Sequence, residues 1–239
     1  MTQPTAAMLV IGDEILSGRT RDSNLYHLAQ ELTRIGIMLH EARVVADKHE
    51  DIVAAVRALS LRHTHVFTSG GIGPTHDDIT ADAVAAALHA KISHRADAMA
   101  LLQAHYDRAG LPFNDARQRM ARIPDGAELI DNPISTAPGF TLGNVHVMAG
   151  VPNIFEAMLA SLLPRLSGGL PLLSQSLRVM RGEGEIATAF GALAAEYPDL
   201  SMGSYPFNQQ GAHGTNLVIR GQDPARLDEA MLRLTRLFG

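Results

Sequence analysis

The chain has 239 residues, enough to bury a sizeable core, and its 46% apolar and 19% charged side chains are ordinary values for a globular protein. A net charge of −5 leaves no electrostatic footprint for nucleic acid or an anionic membrane, and the absence of cysteine excludes disulfide and thiolate chemistry. The opening run "MTQPTAAMLVIGDEI" has neither the basic flank of a signal peptide nor the apolar length of a span, so a cytoplasmic protein without a membrane partner is expected.

Ala6 to Gly12 is a continuous apolar run, as expected of a strand buried on both faces. From Asp22 the apolar residues Leu25, Leu28, Leu32 and Ile35 recur at helical spacing up to Gly36, with Asp22 a candidate cap. "IMLHEARVVA" reads as the next strand, Ile52 to Leu59 as an amphipathic helix, and "HVFTSGG" as a third strand. "DDITADAVAAALHA" follows with strong helix formers. Three strand–helix alternations predict a parallel α/β sheet covered on both faces. Ser93 to Arg122 reads as helical, and the strand Val145 to Ala149 leads into a helix ending near Leu166. "SGGLPLL" has linker composition, and the remainder reads β-α-β-β-α, a small α+β unit.

The run "TSGGIGPTHDDITADA" carries three glycines and two adjacent aspartates. A phosphate loop would need Gly-Lys-Ser/Thr after the bend, but Gly73 is followed by Pro74, Thr75 and His76. A dinucleotide fingerprint lacks its third glycine, because position 76 is histidine. What survives is an anion site at the carboxyl end of a strand. Gly70, Gly71 and Gly73 admit a ligand to the main chain, and the next helix is expected to start at about Thr75 to Asp78. Asp77 and Asp78 read either as caps of that helix or as a pair that holds a metal or handles protons. Two further loops, "IGDEILSGRTRDSN" and "MAGVPNIF", end strands in the same way, and in an open parallel sheet such loops line one crevice.

Four motifs in this order, "GDEILSGRTRDSN", "TSGGIGPTHDDIT", "NPISTAPGF" and "AGVPNIFEAM", resemble the molybdopterin-binding domain family of the MoaB, MogA and CinA type, most closely the amino-terminal domain of CinA, the competence/damage-inducible proteins. The resemblance runs from about Ala6 to Leu166. The segment from Ser174 resembles the small domain that follows in CinA, without the CinA amidase domain. It implies a three-layer αβα, MogA-like, mostly parallel α/β sheet over residues 1–168 and an α+β accessory domain over 174–239. The implied pocket takes a phosphorylated pterin or nucleotide. The ligand-binding positions fall on Ser69, Gly70, Gly71, Gly73, Pro74, Thr75 and Asp77, joined by Gly139, Gly150 and Pro152. The catalytic acid of the family falls on Asp78 and a second acid on Asp47. Asp13 and Glu14 match the Gly-Asp-Glu turn and, with Asp78, would hold a divalent cation such as Mg. Ser69, Ile72 and Ala149 depart from the pattern, where Thr, Thr and Pro are usual, and isoleucine cannot donate a side-chain hydrogen bond to phosphate.

The resemblance implies metal-dependent cleavage of ADP-ribose- or FAD-like pyrophosphates. A binding protein for molybdopterin or a nucleotide without turnover, and adenylyl or molybdate transfer in molybdenum-cofactor biosynthesis, remain as alternatives. A homo-oligomer, dimer or trimer, is expected. No H-E-x-x-H or H-x-x-E-H spacing supports a zinc site, and His76 reads as a solvated loop residue. From Leu173 onward there are six arginines against seven acids, and the one G-x-x-G, Gly211 to Gly214, lies between predicted strands where a hairpin explains it. Nucleic-acid binding is therefore not expected.

Overall fold

The first strand, β1 (Thr5–Ile11), shows how the sequence builds the sheet: its side chains alternate between two separate cores. Ala7, Leu9 and Ile11 enter one apolar cluster, and Ala6, Met8 and Val10 enter the other. A central strand covered on both faces has to be apolar at every position, which accounts for the unbroken hydrophobic run. The computed structural model describes residues 3–209 and 211–239. It divides into two units, Met1–Gly169 and Leu170–Gly239.

In the first unit β1 is followed by the single turn α1 (Asp13–Leu16), α2 (Asn24–Arg34), β2 (Met38–Val45), α3 (His49–Ser60), β3 (His65–Ser69) and α4 (Thr80–Ala87). An excursion follows: β4 (Ile92–His94), α5 (Ala96–Ala109), the single turn α6 (Asp115–Gln118) and β5 (Arg122–Pro124). The unit closes with β6 (Glu128–Ile130), β7 (Gly139–Leu142), β8 (Val145–Met148) and α7 (Pro152–Leu162). The six-stranded sheet runs β2-β1-β3-β8-β7-β6. β1 pairs in parallel with β2 and β3, and β3 with β8, while β6, β7 and β8 pair antiparallel. Helices α3, α4 and α5 cover one face through Ile52, Val56, Leu59, Val84 and Leu102. Helices α2 and α7 cover the other through Leu28, Leu32, Phe155, Met158 and Leu162. The result is the expected αβα sandwich around a mostly parallel sheet.

This strand order sets the place of the site. The chain leaves β1 toward β2 on one side and returns to form β3 on the other, so the loops after β1 and β3 diverge. In open α/β sheets a crevice opens at that switch point, beyond the carboxyl ends of the strands.

The second unit comprises β9 (Leu173–Val179), α8 (Glu183–Glu196), β10 (Ser201–Gln209), β11 (Ala212–Gly221) and α9 (Pro224–Phe238), the expected β-α-β-β-α order. Its antiparallel sheet runs β10-β11-β9, and α8 and α9 pack Ile186, Phe190, Leu193, Leu227 and Leu234 against Val179, Leu217 and Ile219. Asp223 starts α9 by accepting from the N–H of Ala225 at 2.9 Å, with Pro224 in the first helical position. The "GAHG" run belongs to the start of β11, where His213 pairs with Asn208 across the hairpin. Gly168 and Gly169 do not form a free linker: the Gly169 N–H donates to the Ile35 carbonyl at 3.0 Å, and a Cβ at Gly168 would overlap that oxygen. Among the described residues no helix is long and apolar enough to cross a membrane.

Candidate functional site

At the carboxyl end of β3 the chain turns through Gly70 (φ 108°) and Gly71 (φ 68°), backbone conformations that favour glycine. Space forbids side chains as well. A Cβ at Gly70 would overlap the Ile11 carbonyl oxygen of the neighbouring strand, and one at Gly71 would overlap the Thr80 hydroxyl. Thr80, at the start of α4, fixes the bend: its N–H donates to the Gly71 carbonyl and its hydroxyl to the Gly70 carbonyl, both at 3.0 Å. The Gly70 N–H donates to Met148 at 3.2 Å. Among the described residues the next three N–H groups, of Gly71, Ile72 and Gly73, have no acceptor in the chain.

Helix α4 therefore begins at Thr80, not at Thr75 to Asp78, and neither aspartate caps it. The physical reason is competition within the loop. The Asp78 carboxylate turns back on Thr75, accepting from its N–H at 2.8 Å and its hydroxyl at 2.6 Å, while the Gly71 carbonyl takes the first N–H of the helix. His76 is fully solvated, its side chain 98% exposed.

After β1 the Asp47 carboxylate accepts from the Asp13 N–H at 2.9 Å. Burial raises the Asp47 pKa, that hydrogen bond opposes the rise, and the like charges of Glu14, Asp13 and Asp77 add to it. Asp22, two residues ahead of α2, accepts from the Leu25 N–H at 3.1 Å, while the cap position itself is Ser23, whose side chain makes no cap bond. Asn24 is 3% exposed, and its amide donates to the Ser69 hydroxyl at 2.7 Å and the Gly150 carbonyl at 2.8 Å. One side chain thus ties together the loops after β1, β3 and β8. The sequence signalled no such role, because Ser-Asn at a helix start reads as a cap.

A second asparagine builds the opposite wall. Asn132, also 3% exposed, accepts from the N–H groups of Ile134 and Ser135 and donates to the Ser135 hydroxyl and the Ala137 carbonyl. It closes the "NPISTAPGF" loop on itself, with Thr136 held at a left-handed φ of 66°.

Between these walls lies a cleft of about 500 Å³, within the range of small-molecule sites. Of the expected residues, Glu14, Gly70, Gly71, Gly73, Pro74, Asp78, Gly150 and Pro152 line it, together with Ile72, Thr20, Asn132 and Ser135. Ser69 lines a narrower crevice beside Asn24. Asp13, Asp47, Thr75 and Asp77 lie outside the lining, behind or beside the loops. Gly139 is a correction. It is buried in β7, where a Cβ would overlap the Val147 carbonyl and the Met158 methyl, so sheet packing explains the glycine. Of the set Asp13, Glu14 and Asp78, only Glu14 and Asp78 line the cleft. Asp78 is committed to Thr75, and among the described residues no three His, Asp or Glu side chains converge closely enough to hold a metal ion.

The model of a probable molybdopterin binding domain matches residues 7–168, about two thirds of the chain. The chain belongs to the molybdopterin-binding domain family. The model of the FAD synthase middle domain matches residues 171–239. A crystal structure of a CinA protein of unknown function from Thermoplasma acidophilum is 32% identical, with a TM-score of 0.63, covering 68% of this chain and 98% of that one. A protein of Pyrobaculum calidifontis is 34% identical over 212 residues, 85% of this chain and 81% of its own length. A protein of Metallosphaera sedula is 37% identical over 164 residues, 66% of this chain. The match spans 62% of that relative's length.

Proposed function

We propose that the cleft binds a phosphorylated pterin or nucleotide, with a phosphate on the loop Gly70–Gly73. The observation that carries this reading is the run of three consecutive N–H groups, Gly71 to Gly73, without acceptors in the chain, on a loop that lines the cleft. Unpaired main-chain donors are costly unless water or a ligand takes them, and successive ones make an anion-binding nest. Ile72, Pro74, Val151 and Ile154 supply apolar surface for a flat ring. A panel of pterin phosphates, AMP, ADP-ribose and FAD in a thermal-shift assay tests the reading. Binding to the native state alone stabilises by roughly 2.7 kcal/mol at a hundredfold excess over Kd. An unmoved melting curve across the panel at millimolar concentration rejects it.

A second reading is cleavage of an ADP-ribose- or FAD-like pyrophosphate with a divalent cation. It is favoured by Asp78, the position of the family's catalytic acid, which lines the cleft, with Asp13, Glu14, Asp47 and Asp77 on the neighbouring loops. Because no three carboxylates converge among the described residues, no step is assigned to a cation held by the protein alone. The ion would arrive with the ligand's own phosphates. Turnover of ADP-ribose with and without Mg, in wild type and Asp78→Asn, decides it: the variant should lose on the order of a hundredfold. Absence of turnover in wild type leaves the binding protein as the function. Assembly as a dimer or trimer belongs to the same proposal and is measured by light scattering.

A further inference from the structure

The sheet of the second unit has one face under α8 and α9 and another that is open. Alternation assigns Val179, Leu217 and Ile219 to the covered face, so their neighbours Arg178, Asn216, Val218 and Arg220 stand on the open one. The register puts Tyr205 opposite Asn216, and Phe207 opposite Gly214.

The two aromatic rings lie along the sheet. A Cβ on Gly203 would touch the Tyr205 ring at 3.2 Å, and one on Gly214 would meet the Phe207 ring at 2.8 Å, so each ring occupies the space a side chain would fill over a glycine. An arginine lies over each ring. The Arg178 guanidinium is 3.8 Å from the Phe207 centroid, and that of Arg220 is 5.8 Å from the Tyr205 centroid.

Charge is segregated in the same way. The unit's seven carboxylates, Glu183 to Glu229, all fall on its helices and loops, where Arg226 pairs with Asp199 and Glu229, and Arg233 with Glu196. Arg178 and Arg220 have no carboxylate partner among the described residues. The open face is therefore cationic on a chain of net charge −5. It combines flat rings, uncompensated guanidinium groups and neutral hydrogen-bonding side chains such as Ser176 and Asn216.

We propose that this face is a stacking platform for single-stranded nucleic acid, with one base on Tyr205, another on the Arg178 guanidinium that covers Phe207, and phosphates on Arg178 and Arg220. An open sheet cannot bury most of a small ligand as a cleft does, whereas an extended strand presents bases and charge together along such a surface. The absence of acids on the face disfavours a basic peptide. The proposal is independent of the cleft in the first unit.

The test is fluorescence anisotropy of a labelled twelve-nucleotide oligothymidylate with the full chain at about 50 mM salt, where electrostatic contacts are strong. Wild type should bind the single strand and prefer it to duplex of the same length. Arg178→Gln with Arg220→Gln should weaken binding on the order of tenfold and flatten the log–log salt dependence by about 1.4, at about 0.7 per lost phosphate contact. Ser176→Glu, which places a carboxylate on the same face, and Tyr205→Ala should each weaken it with the melting temperature unchanged. No binding by wild type overturns the proposal, as do equal affinity for duplex and variants that bind like wild type. A dimer that dissociates on Ser176→Glu would assign the face to a second copy of the chain and overturn it as well.

Discussion

The Asp78 carboxylate accepts from both the backbone N–H and the hydroxyl of Thr75, three residues earlier, and so locks the outer half of the glycine loop. Asp78→Asn keeps one acceptor and loses the charge. It should cost about 1 kcal/mol in urea unfolding, the scale of a weakened hydrogen bond, and leave the helicity of α4 unchanged because Asp78 does not cap it. Because Asp78 also lines the cleft, a metal-free phosphate ligand should bind a few-fold more tightly to the variant, since a like charge has gone. Weaker metal-free binding by calorimetry would show that the loop lock outweighs the repulsion.

Asn24 holds the loops after β3 and β8 from a buried position. Asn24→Ala leaves the Ser69 hydroxyl and the Gly150 carbonyl without their shared donor and should cost about 1–3 kcal/mol, with a parallel loss of affinity in the cleft. Chemical denaturation and ligand titration of the same variant check both halves. Normal affinity in a destabilised protein would confine Asn24 to folding.

Glycines in the two kinds of turn should respond differently. Gly18 has φ 72° but open space around its missing Cβ, so Gly18→Ala should cost about 1 kcal/mol from backbone strain alone. Gly70→Ala adds overlap with the Ile11 carbonyl and should cost at least 2 kcal/mol more, as forced strain in packed regions does. Comparable losses at the two positions would mean that the β3 loop can move away from β1.

The histidine pair across β3 and β8 sets an acid limit. His65 Nδ1 and His146 Nε2 are 3.1 Å apart, and His146 Nδ1 is 2.9 Å from the Thr141 hydroxyl. Burial pushes the His146 pKa down to about 3, with the charge of His65 adding to it, and burial lowers His65 too. The unfolded chain takes up protons near pH 6.5 while the folded one refuses them. This contribution is therefore full above about 6.5 and, for His146, is lost as pH falls toward 3, by up to about 1.4 kcal/mol per unit, with His65 adding in the same direction. Unfolding free energies at pH 7.5, 6 and 5 should fall accordingly, and His146→Gln should flatten the slope. A pH-independent stability in that range would show that the two histidines take up protons in the folded chain as they do in the unfolded one.

The unit before Leu170 contains both sheet cores. A chain ending at Gly169 should unfold cooperatively by itself. Loss of a cooperative transition in calorimetry would show that the two units fold as one.

The sequence by itself determined the layered architecture, because a doubly covered strand must be apolar throughout and amphipathic helices repeat at their own period. The runs Ala6 to Gly12 and Leu25 to Ile35 carry that information locally. The glycine bend was legible for the same reason, since the conformations of Gly70 and Gly71 exclude most other residues. What the pair Asp77 and Asp78 does was not legible. Capping and a turn back to Thr75 use the same residues at the same spacing, and only the Gly71 carbonyl, arriving at Thr80, decided between them. The clamps of Asn24 and Asn132 depend on loops that lie far apart in the chain or close on themselves, so a pattern of neighbours could not contain Asn24's reach to Gly150. Gly139 was expected at the ligand, and only the packing of β7, which brings its missing Cβ against the Val147 carbonyl, gives it a place in the sheet. The cationic face of the second unit was hidden by averaging. Six arginines and seven acids cancel in the composition, and only strand alternation sets Arg178 and Arg220 on the face away from the helices that carry the paired arginines and the acids.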